Sequence, residues 1–305
     1  MDALPDAQLP EAGKLNVDHV AHFVPHIEAA SADLAQLGFT LTPFSPQSHR
    51  LEPGGPLVPA GTGNRCVMLK QGYLEILTPT ADTPMANQLR AAITRYVGVH
   101  LIAFGTSSSD LDRERLASAH FEPYAPVALQ RNIDTPSGTN VARFSVVRVP
   151  PGTMPEGRIQ FCQHHTPQLL WQARWLEHPN RAEGLAGTLL CVEKPQQAAQ
   201  RYARFTGLGA RVVSGCWRID TARGFLLFIG PEQCERTFGL TAPALPWIAG
   251  YVLTSGDIAA TYAHLRNARY DIDTLDGERL LVKMPPTLGG IAIFVPPAST
   301  PLVCR

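Results

Sequence analysis

The sequence lacks the features that mark membrane, exported and nucleic-acid-binding proteins. Among its 305 residues, no apolar run approaches the roughly 20 residues needed to cross a bilayer. The N-terminal segment MDALPDAQLPEAGKLN has neither the basic start nor the apolar core of a signal peptide. Lys and Arg total 26, as do Asp and Glu, so no basic excess is available for binding phosphates. We therefore expect a cytoplasmic protein that binds neither nucleic acid nor a membrane.

Several catalytic and covalent signatures are missing as well. The six cysteines form no CxxC pair and have no regular spacing, which predicts reduced thiols rather than a disulfide framework. There is no P-loop and no GxSxG nucleophile motif. The segment GTGNR at 61–65 is too short for a dinucleotide site. The sequence therefore carries none of the common nucleotide or acyl-transfer motifs.

One arrangement, a strand followed by a helix and further strands, occurs four times. The first copy begins with the strand-like run LNVDHVAHFV at 15–24, followed by a helical pattern ending near Gly38 and by two more apolar runs. The closing strands share a frame of glycine, apolar residues and a following proline: GYLEILTP, GRIQFCQHHTP, GFLLFIGP and GGIAIFVPP. Four copies in register indicate an internal repeat.

The repeat predicts an α+β fold of four βαβββ modules, each a curved, half-open sheet backed by one helix. Two such sheets must pair to bury their apolar faces, which predicts two domains and a concave pocket between paired sheets. We assign residues 1–14 to an N-terminal extension, 15–180 to a first domain with the candidate site, and 181–305 to a second domain. Exposed sheet edges also make a homodimer a reasonable expectation.

Four polar residues interrupt apolar strands at equivalent places in the first two modules. His19 in VDHVAHFV aligns with His100 in GVHLIAFG, and Glu75 in GYLEIL aligns with Gln160 in GRIQFC. Polar groups in buried strands are costly unless something satisfies them, so we expect these side chains to converge on one object. Imidazole and carboxylate together suit a divalent metal ion such as Zn, Fe, Mn, Ni or Co.

The repeat, the two strand-borne histidines and the YLEIL strand resemble the vicinal-oxygen-chelate superfamily, which includes glyoxalases, bleomycin-resistance proteins and extradiol dioxygenases. GTGNRCVML, QGYLEILTP, FCQHHTPQLLW and EHPN are similar to glyoxalase-like domain proteins, over most of residues 15–190. The resemblance implies metal ligands on the first and last strands of paired modules. By position these are His19, Glu75, His100 and Gln160, where Gln160 departs from the more usual carboxylate.

The function implied by the resemblance is a metal-dependent lyase or isomerase that chelates a small substrate through vicinal oxygens, with Glu75 as catalytic base. Two alternatives stay open. One is an Fe(II)-dependent extradiol-type dioxygenase that uses His19, His100 and Glu75. The other is a non-catalytic small-molecule binding or resistance protein. The side chains predicted to contact the substrate are His49, on a Pro-rich loop, Asn64 and His165.

The second pair of modules lacks such a set. Its aligned positions are Thr188 or Leu189, Leu227, Gly250 and Ile293, which do not suit a metal ion together. We expect this half to be a scaffold, a dimerisation surface or a cap.

Overall fold

The predicted order of strand, helix and three strands occurs twice in the first half of the chain. The computed structural model describes residues 8–50, 55–275 and 277–297. Module 1 comprises β1 (Asn16–Phe23), α1 (Ile27–Gln36), β2 (Ser45–Arg50), β3 (Leu57–Met68) and β4 (Tyr73–Pro79). A linking helix, α2 (Pro84–Arg95), leads to module 2. That module comprises β5 (Gly98–Gly105), α3 (Ser109–Ser118), β6 (Val127–Thr135), β7 (Gly138–Arg148) and β8 (Arg158–His164).

The same order occurs twice more in the second half. A short helix, α4 (Pro167–Leu170), and a 3₁₀ turn (Ala173–Trp175) link the halves. Module 3 comprises β9 (Ala182–Cys191), α5 (Pro195–Thr206), β10 (Ala210–Val213), β11 (Cys216–Asp220) and β12 (Phe225–Ile229). The helix α6 (Pro231–Phe238) leads to module 4. That module comprises β13 (Trp247–Ser255), α7 (Ile258–Asn267), β14 (Ile272–Leu275), β15 (Arg279–Lys283) and β16 (Ile291–Val295).

The strands of the first half close into a ring. They follow the order β1-β4-β3-β2-β6-β7-β8-β5, and β5 pairs antiparallel with β1. Closure depends on β2, where Ser48 and His49 pair with Gln130 and Leu129 of β6. A barrel of about eight strands has an interior just wide enough for side chains or one small ligand. The interior of this barrel is therefore where a small-molecule site can lie.

The strands of the second half form an open sheet. Their order is β10-β11-β12-β9-β13-β16-β15-β14, and within the described residues β10 and β14 do not pair with each other. The two sheets are joined where β5 meets β13, with Val99 opposite Ile248.

The alternating faces of β1 show why these modules fold as they do. Val20 packs in the apolar cluster that contains Leu34 of α1. Ala21 and Phe23 belong to a different cluster, together with Leu101 of β5. Successive residues of a strand point to opposite faces, so one strand can serve both the helix-covered core and the barrel interior.

Three elements differ from the expectations. The strand β2 lies in the Pro-rich stretch 43–59, which was expected to be a loop. No strand was predicted there, because the residues SPQSHR contain no apolar run. The linking helices α2 and α6 were not predicted. Each has a proline in its first turn, and Thr83 caps α2 by accepting a hydrogen bond from the Ala86 amide.

The structure bears on the expectations about membrane-spanning segments and about reduced cysteines. No helix in the described ranges is long and apolar enough to cross a membrane. Cys66, Cys162, Cys191 and Cys234 are buried free thiols, as expected. Cys216 is part of a disulfide, which contradicts the expectation of reduced thiols throughout. Cys304 lies outside the described residues.

Candidate functional site

A cavity of about 90 Å³ lies inside the barrel of the first half. Its polar lining includes His19 on β1, Glu75 on β4 and Gln160 on β8, together with polar residues of the strands between them. His49 and Asn64 also line it, so the structure brings together five of the side chains singled out from the sequence. His100 and His165 are not part of this lining.

His19 is a buried imidazole with a fixed orientation. Its Nδ1 donates a hydrogen bond to Asp18 Oδ2 at 2.7 Å, and its ring stacks on Tyr73 with centroids 4.3 Å apart. The bond to Asp18 selects the tautomer whose Nε2 can accept a proton or bind an ion. That nitrogen lies 4.0 Å from Glu75 Oε2.

Glu75 is a buried carboxylate whose two oxygens have different surroundings. Oε1 accepts hydrogen bonds from the Asn64 side-chain amide and from Gln47 Nε2, the latter at 3.3 Å. Asn64 Oδ1 in turn accepts from Arg131 at 2.9 Å. These bonds fix the carboxylate and leave Oε2 as the oxygen that faces His19. Asn64 therefore positions Glu75, in addition to any contact with a substrate.

Asp18 also belongs to a buried ion pair. Its Oδ2 accepts a second hydrogen bond, from His164 Nε2 at 2.9 Å. Burial raises the pKa of Asp18, but the attraction of His164 and the hydrogen bonds from His164 and His19 outweigh burial and hold that pKa well below its usual range. Burial lowers the pKa of His164, but Asp18 outweighs it and raises the pKa to about 10. The pairing with Asp18 thus favours the imidazolium form of His164.

Asp18, Cys162 and His164 have the spacing of a metal site, since one donor atom of each lies within 4.8 Å of the others. Cys162 Sγ lies 3.9 Å from His164 Nε2, and Cys162 lines the cavity. These three residues could hold a metal ion. An ion bound there would have to break the buried Asp18–His164 ion pair, and breaking such a pair costs free energy. That cost disfavours this cluster as the metal site.

Gln160 lies among arginines. Its Oε1 accepts a hydrogen bond from Arg148 Nε at 2.9 Å. Arg158 lies two residues before Gln160 on β8 and also lines the cavity, as alternate residues of a strand share a face. Burial lowers the pKa of both arginines, and that of Arg158, which Arg148 also repels, falls to about 9. Glu75 is the one carboxylate among the lining residues, so positive charge is in excess.

His100 does not join the other three residues of the expected ligand set. Its Nε2 donates to the Tyr96 carbonyl at 2.7 Å, and its ring stacks on the Tyr96 ring with centroids 3.9 Å apart. It lines a second, outer cavity instead. The set of four ligands implied by the resemblance therefore does not assemble.

An irregularity in strand pairing explains the displacement of His100. The register of β1 with β5 shifts between Ala21 and His22, and a shift of one residue exchanges the two faces of a strand. Leu101 pairs with the first residue of β8, as His19 pairs with the first residue of β4. Leu101, rather than His100, is thus the structural equivalent of His19.

Of the other two histidines predicted from the sequence to contact the substrate, one lines the cavity and one does not. His49 lies on the strand β2 rather than on a loop, and its Nδ1 is buried without a hydrogen-bond partner in the described part of the chain. His165 is exposed and bonds to Ser145 Oγ at 2.7 Å, outside the cavity lining. Its neighbour His164 is buried against Asp18 and is not a lining residue of the cavity either. The structure therefore places His165, which was expected to contact the substrate, outside the inner cavity.

The residues of the inner cavity fit a divalent ion through two strong ligands. His19 Nε2 and Glu75 Oε2 are 4.0 Å apart, somewhat more than the roughly 3.4 Å between two ligands of a tetrahedral ion, so binding would draw the two side chains together. The carboxylate on Nδ1 of His19 is the usual partner of a metal-bound histidine. Gln160 is a weaker third donor because its amide oxygen already accepts from Arg148.

Two further residues shape the site but were not predicted from the sequence: Arg158 and Asp18. Arg158 had a signal, because it lies two residues before Gln160 and must share its face. Asp18 had none, since strict alternation sends it to the face opposite His19. The register of β1 shifts between Val17 and His19, which lets Asp18 and His19 meet.

The equivalent positions of the second half carry apolar side chains. By register, Glu75 corresponds to Leu227 and Gln160 to Ile293. Both pack in one apolar cluster with Cys234 and Phe238 of α6.

Comparison with known families gives one match. A family model described as a glyoxalase-like domain matches residues 17–206, which is more than half of the chain. No curated protein sequence matches the chain at a significant level.

Solved structures of similar fold cover nearly the whole chain. A hypothetical protein from Staphylococcus aureus has 10% identity and a TM-score of 0.61, over 92% of this chain and 99% of that one. A mutant 4-hydroxymandelate synthase from Streptomyces coelicolor has 14% identity and a TM-score of 0.51, over 95% of each chain. A fusion of a xylose isomerase-like TIM barrel and 4-hydroxyphenylpyruvate dioxygenase has 11% identity and a TM-score of 0.53, over 97% of this chain and 51% of that one. At these identities the likeness shows the fold alone.

Proposed function

We propose that this chain, which belongs to the glyoxalase-like domain family, is a metal-dependent enzyme that binds a small substrate through two adjacent oxygens. The main support is the pair of His19 Nε2 and Glu75 Oε2, 4.0 Å apart in a cavity inside the barrel. Asp18 orients His19, and Asn64 orients Glu75. Such pre-organised donors suit the binding of an ion and of charge that develops during a reaction.

Each residue has a separate role in this proposal. A divalent ion held by His19 and Glu75, with Gln160 beside it, would act as a Lewis acid on the two substrate oxygens. Asp18 keeps His19 in one tautomer. Glu75 could act as a base only after Oε2 has left the ion, because Oε1 is occupied by hydrogen bonds from Asn64 and Gln47.

The dioxygenase alternative loses His100 as its second histidine. A ferrous 2-His-1-carboxylate site needs two histidines in the cavity. His100 is bound to Tyr96, so the second histidine would have to be His49, which lines the cavity beside His19 and Glu75. The other competing function is a non-catalytic binding protein, and metal content separates it from an enzyme.

The test is elemental analysis of protein purified without added metal or chelator. We expect about one equivalent of a transition metal in the wild type and almost none in His19→Ala or Glu75→Ala. His100→Ala is the matched control, because it also removes a buried histidine from the paired strand. It should keep the metal.

Three results would count against the proposal. Wild-type protein that contains no metal and takes up none of Zn, Fe(II), Mn, Ni or Co would support the binding protein. Loss of metal in His100→Ala but not in His19→Ala would restore the sequence-based set. Loss of metal in His164→Ala with retention in Glu75→Ala would place the ion in the Asp18–Cys162–His164 cluster.

A further inference from the structure

A second, larger cavity adjoins the first. It has a volume of about 770 Å³ and lies between α2 and the loop 149–157 that connects β7 and β8. We call it the outer cavity. Most of its lining is apolar, as with Phe23, Met154 and Ile159, and none of its described lining residues is an aspartate or glutamate. The two cavities are neighbours that share five lining residues: His49, Ala60, Met85, Arg148 and Arg158.

Arg148 and Arg158 thus lie at the junction of the two cavities, where Glu75 attracts both guanidinium groups but forms an ion pair with neither. Arg148 donates to Gln160, and Arg158 donates to the neutral amide of Gln88 at 3.4 Å. Arg158 also lies over the Phe23 ring, 5.5 Å from its centroid. Neither arginine forms an ion pair with a carboxylate of the described residues.

Two neighbouring guanidinium groups in a half-buried place repel each other, which destabilises the protein unless something compensates them. Hydrogen bonds to neutral amides compensate such charges less than an anion would. The depressed pKa of Arg158 reflects the same cost, from burial and from Arg148. An anion bound at the junction would compensate both charges.

We propose that Arg148 and Arg158 bind the acid group of an amphipathic organic acid, with its apolar body in the outer cavity. This inference rests on the proposed function, because it takes the acid to be the substrate of the enzyme. The substrate oxygens that bind the metal ion would then lie at His19 and Glu75, next to the acid group. Guanidinium groups bind planar carboxylates with two parallel hydrogen bonds, which favours a carboxylate at the junction. The inner cavity, at about 90 Å³, admits only a small group, whereas the outer cavity admits a hydrocarbon body.

The test is calorimetric titration with octanoate, and with 1-octanol as its uncharged counterpart. We expect Arg148→Met and Arg158→Met each to weaken octanoate binding at least tenfold and to leave octanol binding unchanged. Methionine is chosen because it keeps the apolar stem of the arginine. Arg143→Met is the matched control, since Arg143 is an exposed arginine on the same strand as Arg148. It should bind octanoate as the wild type does. If a methionine variant fails to fold, the glutamine variant of the same arginine replaces it.

The inference is overturned if the wild type binds octanol as tightly as octanoate, binds neither, or keeps its octanoate affinity in both arginine variants. Its failure is distinguishable from that of the proposed function. Arginine-dependent octanoate binding in a protein that takes up no metal would overturn the function and support the anion site. If metal content depends on His19 but octanoate affinity is the same with and without the arginines, the proposed function is supported and the anion site is overturned.

Discussion

The two halves of the chain repeat one order of elements and differ in what fills their concave sides. In the first half, closing strands place Glu75 and Gln160 around a cavity. In the second half, Leu227 and Ile293 stand at the equivalent positions and pack into an apolar core. Arg158 has an apolar equivalent too, Ile291. The comparison teaches that a few positions on closing strands decide whether this backbone forms a chamber or a core.

The linking helices contribute to the same difference. In the second half, α6 inserts Cys234 and Phe238 into the cluster around Leu227. In the first half, α2 follows the equivalent strand but forms one wall of the outer cavity, with Met85 and Ala92 among the lining residues. Leu89 of α2 also packs into a buried cluster with Leu77 and Leu101, so α2 closes part of its concave side and leaves the rest accessible.

Exchanging the two residues at the equivalent closing-strand position gives the largest expected effect. Leu227→Glu places a carboxylate in an apolar cluster, opposite Arg218 of β11, whose guanidinium already pairs with Asp220. A buried charge without a partner costs about 3–5 kcal/mol of unfolding free energy, and any pairing with Arg218 reduces that loss. Urea unfolding, followed by circular dichroism, measures this loss.

The reciprocal variant, Glu75→Leu, serves as the control for that exchange. It leaves Asn64 and Gln47 without an acceptor, which costs about 1–2 kcal/mol, partly offset by the added apolar surface. It should fold and lose its metal. If Leu227→Glu proved as stable as Glu75→Leu, the contrast between chamber and core would not hold.

Truncating the helix that fills the second half should have the next largest effect. Phe238→Ala removes a ring that is 3% exposed and leaves a void among packed neighbours, which costs about 3 kcal/mol. Met85→Ala, on the corresponding helix of the first half, enlarges a space that is already accessible and should cost less than about 1 kcal/mol. Thermal and urea unfolding of the pair measure the difference, and equal losses would show that α2 is packed like α6.

The repeat made most of the fold predictable. Glycine-to-proline frames marked four closing strands, and apolar periodicity marked the helices that the repeats share. Closure of the barrel was not predictable, because β2 is a short polar strand with no apolar run. The division at residue 180 and a homodimer stay predictions.

The candidate site was predictable where strand alternation is regular and not where it is broken. Glu75 and Gln160 lie in regular strands and both line the inner cavity, while their role as metal ligands stays a prediction. His100 was misplaced because the β1–β5 pairing shifts by a residue, and no residue type in the sequence marks such a shift. Asp18 was missed for the same reason, beside His19.

The smallest expected effect is on the pH dependence of stability, and it comes from His22 at the contact between the two halves. His22, on the face of β1 opposite the cavity, donates from Nδ1 to the Leu288 carbonyl at 2.8 Å and accepts at Nε2 from the Tyr251 hydroxyl at 3.2 Å. Burial lowers its pKa from 6.5 to about 4, despite the Leu288 bond. The unfolded chain therefore binds a proton that the folded chain does not between these pH values, so stability falls as pH drops through that window.

Replacing His22 should remove part of this acid sensitivity. The contribution of His22 amounts to about 1.5 kcal/mol of the stability lost between pH 6.5 and 5. Burial also lowers the pKa of His100 to about 4, so the variant His22→Gln should show a shallower fall and not a flat profile. Urea unfolding across pH 5–7 measures the slope, and the exposed His165→Gln is the matched control with an unchanged slope. A His22→Gln profile parallel to the wild type would mean that the junction between the closed barrel and the open sheet tolerates an imidazolium, and that the two halves are joined less tightly than these hydrogen bonds indicate.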